Sequence, residues 1–123
     1  MPAAPLVQVR PELVDGVAVI DLLPREITDP EEATRLGVAL RAAFDARAAT
    51  TKLMILNFAA NHYLSSSVFA VLLRFGIRAA SAGGKVAIAN MDPFVRTAAD
   101  IVRLGRIVPI FDDEPSAVSS LTA

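Results

Sequence analysis

Short apolar runs alternate with longer amphipathic stretches along most of the chain. This alternation is typical of an α/β protein, in which helices cover the strands of a sheet. Leu6–Arg10 alternates weakly between apolar and polar residues, which predicts an edge strand. Asp15-Gly16 follows, and Asp-Gly between two apolar segments is a strong signal for a tight hairpin turn. Val17–Leu23 is rich in Val and Ile and predicts the second strand.

The segment that begins at Asp29 predicts a helix with a defined start. Asp29 can accept hydrogen bonds from the amides that the first turn leaves free, and Pro30 suits the first helical position because it has no N–H to satisfy. Glu32 follows at the capping-box position, where its charge also favours the positive end of the helix dipole. Apolar residues at spacings of three and four then predict the buried face, namely Ala33, Leu36, Leu40, Ala43 and Phe44.

Lys52–Phe58 shows almost no polar alternation. A strand that is buried on both faces has this pattern, so we expect it at the centre of the sheet with parallel neighbours. The serine triplet Ser65–Ser67 then precedes a second helix, and Gly83-Gly84 ends that helix because glycine adopts the left-handed C-cap conformation without steric cost. The residues predicted to face inward on this helix are Val68, Val71, Leu72, Phe75 and Ala79.

The last third of the chain predicts a further strand, helix, strand and helix. Val86–Ala89 is a short apolar run, Asp92-Pro93 opens a third helix, Ile107–Phe111 is the last strand and Glu114–Leu121 is the last helix. On the third helix we expect four residues to face inward, namely Phe94, Ala98, Ile101 and Val102. The predicted fold is thus α/β, with a mixed β-sheet of about five strands packed by about four helices.

Composition limits the classes of function. The 123 residues are 54% hydrophobic and 20% charged, which predicts one folded domain over residues 1–123. The net charge is −1 and the twelve Lys and Arg residues are scattered, so no nucleic-acid partner is expected. The absence of cysteine agrees with a cytoplasmic location. No apolar stretch reaches the roughly 20 residues of a spanning helix, so no membrane insertion is expected.

Three groups could suggest catalysis or ligand binding, and none has the required pattern. His62, the only histidine, has no nucleophile-elbow signature nearby. Gly83–Lys85 ends a helix and begins a strand, the reverse of a phosphate-binding loop. Asp112–Glu114 precedes a helix, where acids stabilise the N-terminus, and three consecutive acids seldom converge on one cation. We therefore expect no enzyme, no metal site and no cofactor.

The serine triplet carries the strongest functional signal. One of the three hydroxyls is expected to cap the second helix, since serine is a favoured N-cap residue. Three in succession exceed that need. A phosphate group at this position would meet the free amides of the first turn and the positive end of the dipole, and it would add about −1.5 to −2 charges. An apolar or acidic partner surface docked there would then be expelled.

Several segments, taken in order and spacing, resemble the STAS domain of anti-sigma factor antagonists. The resemblance covers nearly the whole chain, from about Leu6 to Leu121. The segments that carry it are Leu53–Phe58, Tyr63–Ser67, Ala70–Leu73, Ala82–Asn90, Asp92–Val95, Arg103-Leu104 and Phe111–Glu114.

The resemblance implies a domain that binds partner proteins, either an anti-sigma factor with serine kinase activity or another signalling protein. In the antagonist branch the domain captures an anti-sigma factor that is a serine kinase, and this capture frees the sigma factor for transcription. The kinase phosphorylates the second hydroxyl of an Asp-Ser-Ser/Thr-Gly motif at the start of the second helix. When the sequences are aligned through Ala70–Leu72, that hydroxyl falls on Ser67 and its predecessor on Ser66. The partner-binding residues that we expect are Ile27, Thr28, Asp29, Asn61, Ser66, Ser67 and Phe69.

Two residues depart from the family motif. Ser65 replaces the aspartate, and Val68 replaces the glycine, so that a partner approaching the backbone there is expected to meet a bulky side chain. Two alternatives to the switched antagonist therefore stay open. One is a constitutive STAS scaffold, as in stressosome-like assemblies or lipid-transport complexes. The other is a STAS domain that binds a nucleotide or another small molecule at the serine cluster. The oligomeric state is left open.

Overall fold

A computed structural model describes residues 4–123, and the strands, helices and loops below lie within that range. A short 3-10 turn at Leu104–Arg106 joins the third helix to the last strand. In chain order the strands and helices are β1 (Val7–Val9), β2 (Ala18–Leu22), β3 (Glu26–Ile27), α1 (Pro30–Arg47), β4 (Leu53–Asn57), β5 (Tyr63–Leu64), α2 (Ser66–Ser81), β6 (Lys85–Ala89), α3 (Pro93–Ile101), β7 (Ile110–Phe111) and α4 (Glu114–Thr122).

The main sheet has five strands in the order β1-β2-β4-β6-β7. β1 pairs antiparallel with β2, and the other three pairings are parallel, so the sheet is mixed as predicted. β4 is the central strand, and its Met54, Ile55 and Leu56 are 1%, 0% and 0% exposed. The unbroken apolar run of β4 therefore has the physical cause that the sequence indicated, since helices cover both faces of the sheet.

The Asp-Gly signal marks a hairpin turn. Asp15 and Gly16 both have positive φ, 50° and 81°, as the central residues of a type I′ turn require. The flanking Val14 and Val17 exchange two backbone hydrogen bonds of 2.9 Å each. This turn directs β2 back alongside β1 and confirms the predicted hairpin.

The first helix begins and packs as the sequence predicted, with one difference. The Asp29 side chain accepts a 2.8 Å hydrogen bond from the Glu31 amide, and Pro30 occupies the first turn. Among residues 4–123, no hydrogen bond joins the Glu32 carboxylate to the Asp29 amide, so the expected capping box is not formed. The buried residues of α1 are the predicted five, Ala33, Leu36, Leu40, Ala43 and Phe44.

The second helix ends in a Schellman motif. The amides of Gly83 and Gly84 donate to the carbonyls of Ala80 and Ala79 at 3.0 and 2.8 Å, and Gly83 has a φ of 83°. The five predicted inward residues of α2 are buried, and Phe69 and Gly76 are buried with them. The glycine pair therefore ends the helix for the reason that the sequence indicated.

The helices are divided between the two faces of the sheet. Side chains of α1 and α2 share one buried cluster with Ile20, Leu56 and Ile88, and α3 adds Val95 and Ala99 to it. α4 covers the opposite face with Ala117, Val118 and Leu121, which pack with Val19, Ile55 and Ala87. This arrangement leaves the start of α2 at the edge of the helix layer, where the carboxyl ends of the parallel strands lie.

The predicted inward face of α3 is wrong. Phe94, Ile101 and Val102 are 71%, 77% and 42% exposed, and Ala98 is half-buried. Val95 and Ala99 face the core instead. The apolar residues form one broad arc of this nine-residue helix, and spacing alone does not tell which part of the arc is buried. The smaller pair at one edge packs against the core, while the largest side chains point outward.

Two short segments differ from the prediction. The last strand spans only Ile110–Phe111 rather than Ile107–Phe111, because the preceding residues form the 3-10 turn that follows Arg103, which has a φ of 59°. The two-residue strands β3 and β5 were not predicted, and they pair in parallel with each other. Neither contains enough residues for an alternating pattern.

Candidate protein-docking surface

The β3–β5 pair holds the start of α2 next to the start of α1. Glu26 and Ile27 pair with Tyr63 and Leu64, and the Ser65 amide continues the ladder with a 3.0 Å hydrogen bond to the Ile27 carbonyl. Because the two strands are parallel, the residues that follow them leave in the same direction. The segment Thr28-Asp29 therefore lies beside the serine triplet, as the expected contact surface requires.

The start of α2 is not capped by a side chain. Ser65 is the N-cap residue, with extended backbone at φ −75° and ψ 165°, but its hydroxyl makes no capping hydrogen bond. The Ser65 Oγ atom is buried and has no hydrogen-bond partner among the described residues. The prediction that one serine caps this helix is therefore wrong at Ser65, the position where a cap belongs.

Two backbone amides at the start of α2 also lack a hydrogen-bond acceptor among the described residues. The Val68 amide donates to the Ser65 carbonyl at 3.0 Å, whereas the amides of Ser66 and Ser67 have no backbone or side-chain acceptor within residues 4–123. The first turn of α2 contains no acidic residue. α2 thus has no acid of its own to neutralise the positive end of its dipole, and that end stabilises an added anion.

The hydroxyls of Ser66 and Ser67 are accessible. Ser66 is exposed and Ser67 is half-buried. Within the described part of the chain, neither hydroxyl takes part in a hydrogen bond. Neither serine is sealed in the core, and neither has its oxygen occupied internally. Both can therefore be reached by another protein.

An apolar groove begins at Ser66 and runs along α3. Its volume is about 440 Å³. Phe94 and Ile101 form its wall and are 71% and 77% exposed, and Tyr63 stands at its end with 45% exposure. The remaining lining residues are Leu64, Ser66, Phe69, Val95, Ala98 and Val102. Large apolar side chains that are this exposed and this close together mark a surface that excludes water when a partner covers it.

His62 and Asp92 form a polar contact close to this groove. His62 Nδ1 lies 3.4 Å from an Asp92 carboxylate oxygen. The Phe94 amide, which donates to Asp92 at 2.8 Å, lowers the pKa of that carboxyl group, and His62 lowers it further. Asp92 is thus the cap of α3, and the only histidine serves as a neighbour to that cap.

Three of the expected contact residues are buried, which corrects the surface predicted from the sequence. Ile27 is 0% exposed and packs in the main core. Asn61 is 1% exposed, and its side-chain amide donates to the carbonyls of Leu22 and Pro24 and so holds the loop. Phe69 is 4% exposed and forms the floor of the groove rather than its rim.

The other expected contact residues reach the surface. Thr28 and Asp29 are exposed, as is Ser66, and Ser67 is half-buried. The Asp29 carboxylate is engaged in capping α1, so its free oxygen is what remains for a partner. The structure thus brings four of the seven expected contact residues to one accessible place.

The acidic run before α4 is used within the fold. Asp112 pairs with Arg96 at 2.9 Å, Asp113 accepts from the Ser116 amide at 2.8 Å, and Glu114 pairs with Arg10 at 2.8 Å. The Ser116 amide lowers the pKa of Asp113. Among the described residues no group of three or more His, Asp or Glu side chains could hold a metal ion.

The apolar wall was missed because sequence periodicity assigned it to the core. One signal could have identified it. Val95 and Ala99 are four residues apart, as are Phe94 and Ala98, so the apolar arc is wide and only one strip of it can pack against the core. The face with the larger residues then remains available for a partner.

The model of the STAS domain family matches residues 18–117. The chain belongs to the STAS domain family. Among solved structures, an anti-sigma factor antagonist from Mycobacterium paratuberculosis superposes with a TM-score of 0.76 at 20% identity, covering 99% of this chain and 100% of that one. The Bacillus cell fate determinant SpoIIAA in its phosphorylated form gives 0.63 at 18% identity, covering 93% of this chain and 97% of that one.

STAS domains of another kind share the same architecture. The murine anion transporter Solute Carrier 26 family member A9 gives a TM-score of 0.69 at 14% identity over 87% of this STAS domain and 18% of the transporter chain. No curated protein sequence matches significantly. At these identities the likeness establishes the fold. In the described part of the chain, no helix is both long enough and apolar enough to cross a bilayer.

Proposed function

We propose that this STAS domain is a non-enzymatic regulatory module of the anti-sigma factor antagonist type, which binds an anti-sigma factor with serine kinase activity. One observation carries the proposal: the uncapped, accessible start of α2 adjoins an exposed apolar groove, and Ser66 belongs to both. A partner that covers the groove therefore covers the hydroxyls as well.

The groove supplies the attraction in this proposal. Exposed aromatic side chains that become buried contribute most of the energy of many protein interfaces, and Phe94 and Tyr63 are of this type. The free hydroxyls and amides of Ser66 and Ser67 supply directional hydrogen bonds beside the apolar contact. Thr28 and Asp29 extend the polar rim on the other side of the serines.

Phosphorylation of Ser67, or of Ser66, is the proposed switch. A phosphate adds about −1.5 to −2 charges, and the free amides and the dipole of α2 stabilise it on the folded domain. The same charge disfavours an apolar or acidic partner in the groove. The solved phosphorylated form of the SpoIIAA relative, which shares this fold, supports the proposal.

The two residues that depart from the family motif affect the proposed partner contact less than the sequence suggested. Val68, which replaces the motif glycine, is 0% exposed, so the expectation that a partner meets its side chain is wrong. Ser65, which replaces the motif aspartate, points a buried hydroxyl inward. The accessible part of the motif, Ser66 and Ser67, is unaffected by either change.

Incubation with the anti-sigma kinases of the same organism, followed by mass spectrometry, tests the switch. We expect one phosphate on Ser67 or Ser66 in the wild-type protein and none in the Ser66→Ala, Ser67→Ala double variant. A Ser119→Ala, Ser120→Ala variant, altered at the exposed serine pair of α4, is the matched control and is expected to be phosphorylated normally. Modification confined to sites outside Ser65–Ser67 would overturn the switch.

The Ser67→Asp variant separates this function from that of a constitutive scaffold, the second candidate. The scaffold is favoured by the changed motif at Ser65 and Val68, and STAS domains also occur within transporters such as the murine relative. The antagonist proposal expects Ser67→Asp to weaken kinase binding at least about tenfold by calorimetry, because a buried unpaired charge costs more than 1.4 kcal/mol. Its thermal stability should rise slightly, since an acid near a helix N-terminus adds about 0.5 kcal/mol.

Unchanged affinity in that variant, together with the raised melting temperature, favours the scaffold. The third candidate, a nucleotide or small-molecule site at the serine cluster, predicts that nucleotides stabilise the wild-type protein but not the Ser66→Ala, Ser67→Ala variant in a thermal shift assay. A cytoplasmic location and the lack of a nucleic-acid partner stay predictions.

A further inference from the structure

A second cleft, which shares no lining residue with the apolar groove, lies between α1 and α2. Its volume is about 220 Å³, and it is lined by Thr34, Gly37, Arg41, Val71, Arg74, Phe75 and Arg78. The helices approach closely at one end, where a Cβ atom on Gly37 would lie 3.1 Å from Val71 Cγ1. Beyond this contact the exposed arginines of both helices border the same cleft.

The charges of the cleft are not balanced within the fold. Arg78 lies 3.8 Å from the Asp45 carboxylate, and both side chains are more than half exposed. Among residues 4–123, Arg41 and Arg74 have no carboxylate within 4 Å. By contrast, Arg10 contacts both Asp21 and Glu114. Three guanidinium groups with one exposed carboxylate, that of Asp45 beside Arg78, form a local concentration of positive charge on a chain whose net charge is −1.

We propose that this cleft binds the phosphate group of a small soluble ligand. Guanidinium groups donate two parallel hydrogen bonds to phosphate oxygens, and arginines from two helices can contact a phosphate from opposite sides. Phe75 and Val71, which are largely buried, contribute the small apolar part of the lining. A volume of 220 Å³, compared with roughly 30 Å³ for one water molecule, accommodates a phosphate with a small organic group. This site does not depend on the proposed serine switch.

Calorimetry with pyrophosphate and with adenosine monophosphate tests the site, using inorganic phosphate as the simplest probe. We expect saturable binding to the wild-type protein and a loss of affinity of about tenfold or more in Arg41→Gln and in Arg74→Gln, because each removes a charge-assisted hydrogen bond. The affinity of Arg74→Lys should lie between that of these variants and that of the wild type, since lysine keeps the charge but cannot donate two parallel hydrogen bonds to one phosphate. Arg106→Gln, on the 3-10 turn and outside the cleft lining, is the matched control and should bind normally.

Thermal unfolding provides a second measurement. The phosphate compounds should raise the melting temperature of the wild-type protein more than sodium chloride of equal ionic strength, and this difference should vanish in the Arg41→Gln, Arg74→Gln double variant. Equal effects of salt and phosphate, or wild-type affinity in the double variant, would overturn the proposal. Arginine-dependent binding of a glutamate-rich peptide without any binding of the phosphate compounds would also overturn it and would identify the cleft as a protein contact.

Discussion

The two helices that flank the apolar groove begin in opposite ways. α3 is capped by Asp92, which accepts the Phe94 amide at 2.8 Å, and it turns its largest apolar side chains toward solvent. α2 has no side-chain cap, and it buries its apolar residues while leaving two amides and two serine hydroxyls accessible. One side of the docking surface is therefore apolar and the other is polar.

This difference shows that the fold leaves one helix start without a stabilising side-chain cap. In the described chain, α1, α3 and α4 each begin with an aspartate that accepts a first-turn amide. The missing cap on α2 is tolerated because its core face is extensive and because the Ser65 amide is bound to the Ile27 carbonyl. Tertiary packing thus stabilises α2, and its free N-terminus remains available for a partner or a phosphate.

The largest expected effect on binding comes from removing a large side chain on the apolar side of the docking surface. Phe94→Ala should weaken binding of the anti-sigma kinase by about thirtyfold, since a buried aromatic contact at the centre of an interface is worth about 2 kcal/mol. The fold should keep its melting temperature because Phe94 is 71% exposed. Calorimetry and thermal unfolding measure the two quantities.

Ile77→Ala is the matched control for this variant. Ile77 is an exposed apolar residue of α2 at 53% exposure, and it does not line the groove. Its replacement should leave binding unchanged. Equal losses in both variants would show that the groove has no special role.

A smaller effect tests the two helix starts directly. Asp92→Ala should lower the melting temperature by roughly 4 °C, because the first turn of α3 loses its acceptor. Ser65→Ala should change it far less or raise it, because it removes a buried hydroxyl that has no partner. Differential scanning calorimetry of both variants makes the comparison. A loss in Ser65→Ala as large as in Asp92→Ala would mean that Ser65 does cap α2.

The smallest effect is a difference in acid sensitivity between the helix starts. The pKa of Asp92 is lowered in the fold, first by the Phe94 amide and then by His62. A carboxyl group of this kind stabilises the fold above its unfolded pKa of about 3.9, and that contribution is lost as the pH falls through the lower folded value. The protection factor of the Phe94 amide, which is its intrinsic exchange rate divided by its observed rate at the same pH, should therefore fall between pH 5 and pH 3.

The start of α2 should lack this acid response, since no carboxylate lies in its first turn. Exchange at the Val68 amide, corrected for its intrinsic dependence on pH, is the internal reference. Comparable acid-induced opening at Phe94 and Val68 would show that the Asp92 cap does not distinguish the two helices.

Much of the fold was predictable from local pattern. The hairpin at Asp15-Gly16, the cap at Asp29, the buried face of α1 and the end of α2 at Gly83 each depend on a few neighbouring residues, and each is confirmed. The central position of β4 followed from its unbroken apolar run. The serines were also found from the sequence, because three hydroxyls before a helix form a local signal.

The rest of the surface depended on contacts between distant segments. Sequence spacing placed Phe94 and Ile101 in the core, and the family resemblance implied that Phe69, Ile27 and Asn61 are contact residues, whereas all three are buried. Helical periodicity identifies an apolar arc, but it does not tell which strip of a broad arc packs against the core. That choice was decided by tertiary packing, in which Val95 and Ala99 join the main buried cluster.

By itself, the sequence determined the order of the four helices and of the five main-sheet strands, the caps at Asp29 and Asp92, the turn and the presence of hydroxyls before α2, since neighbouring residues specify all of these. Only the tertiary structure decided that Ser66 borders an apolar groove, that Val68 is hidden and that arginines of α1 and α2 share a cleft. Such features arise where separate segments meet, and the pairing of β3 with β5, two residues each, has no pattern in the sequence.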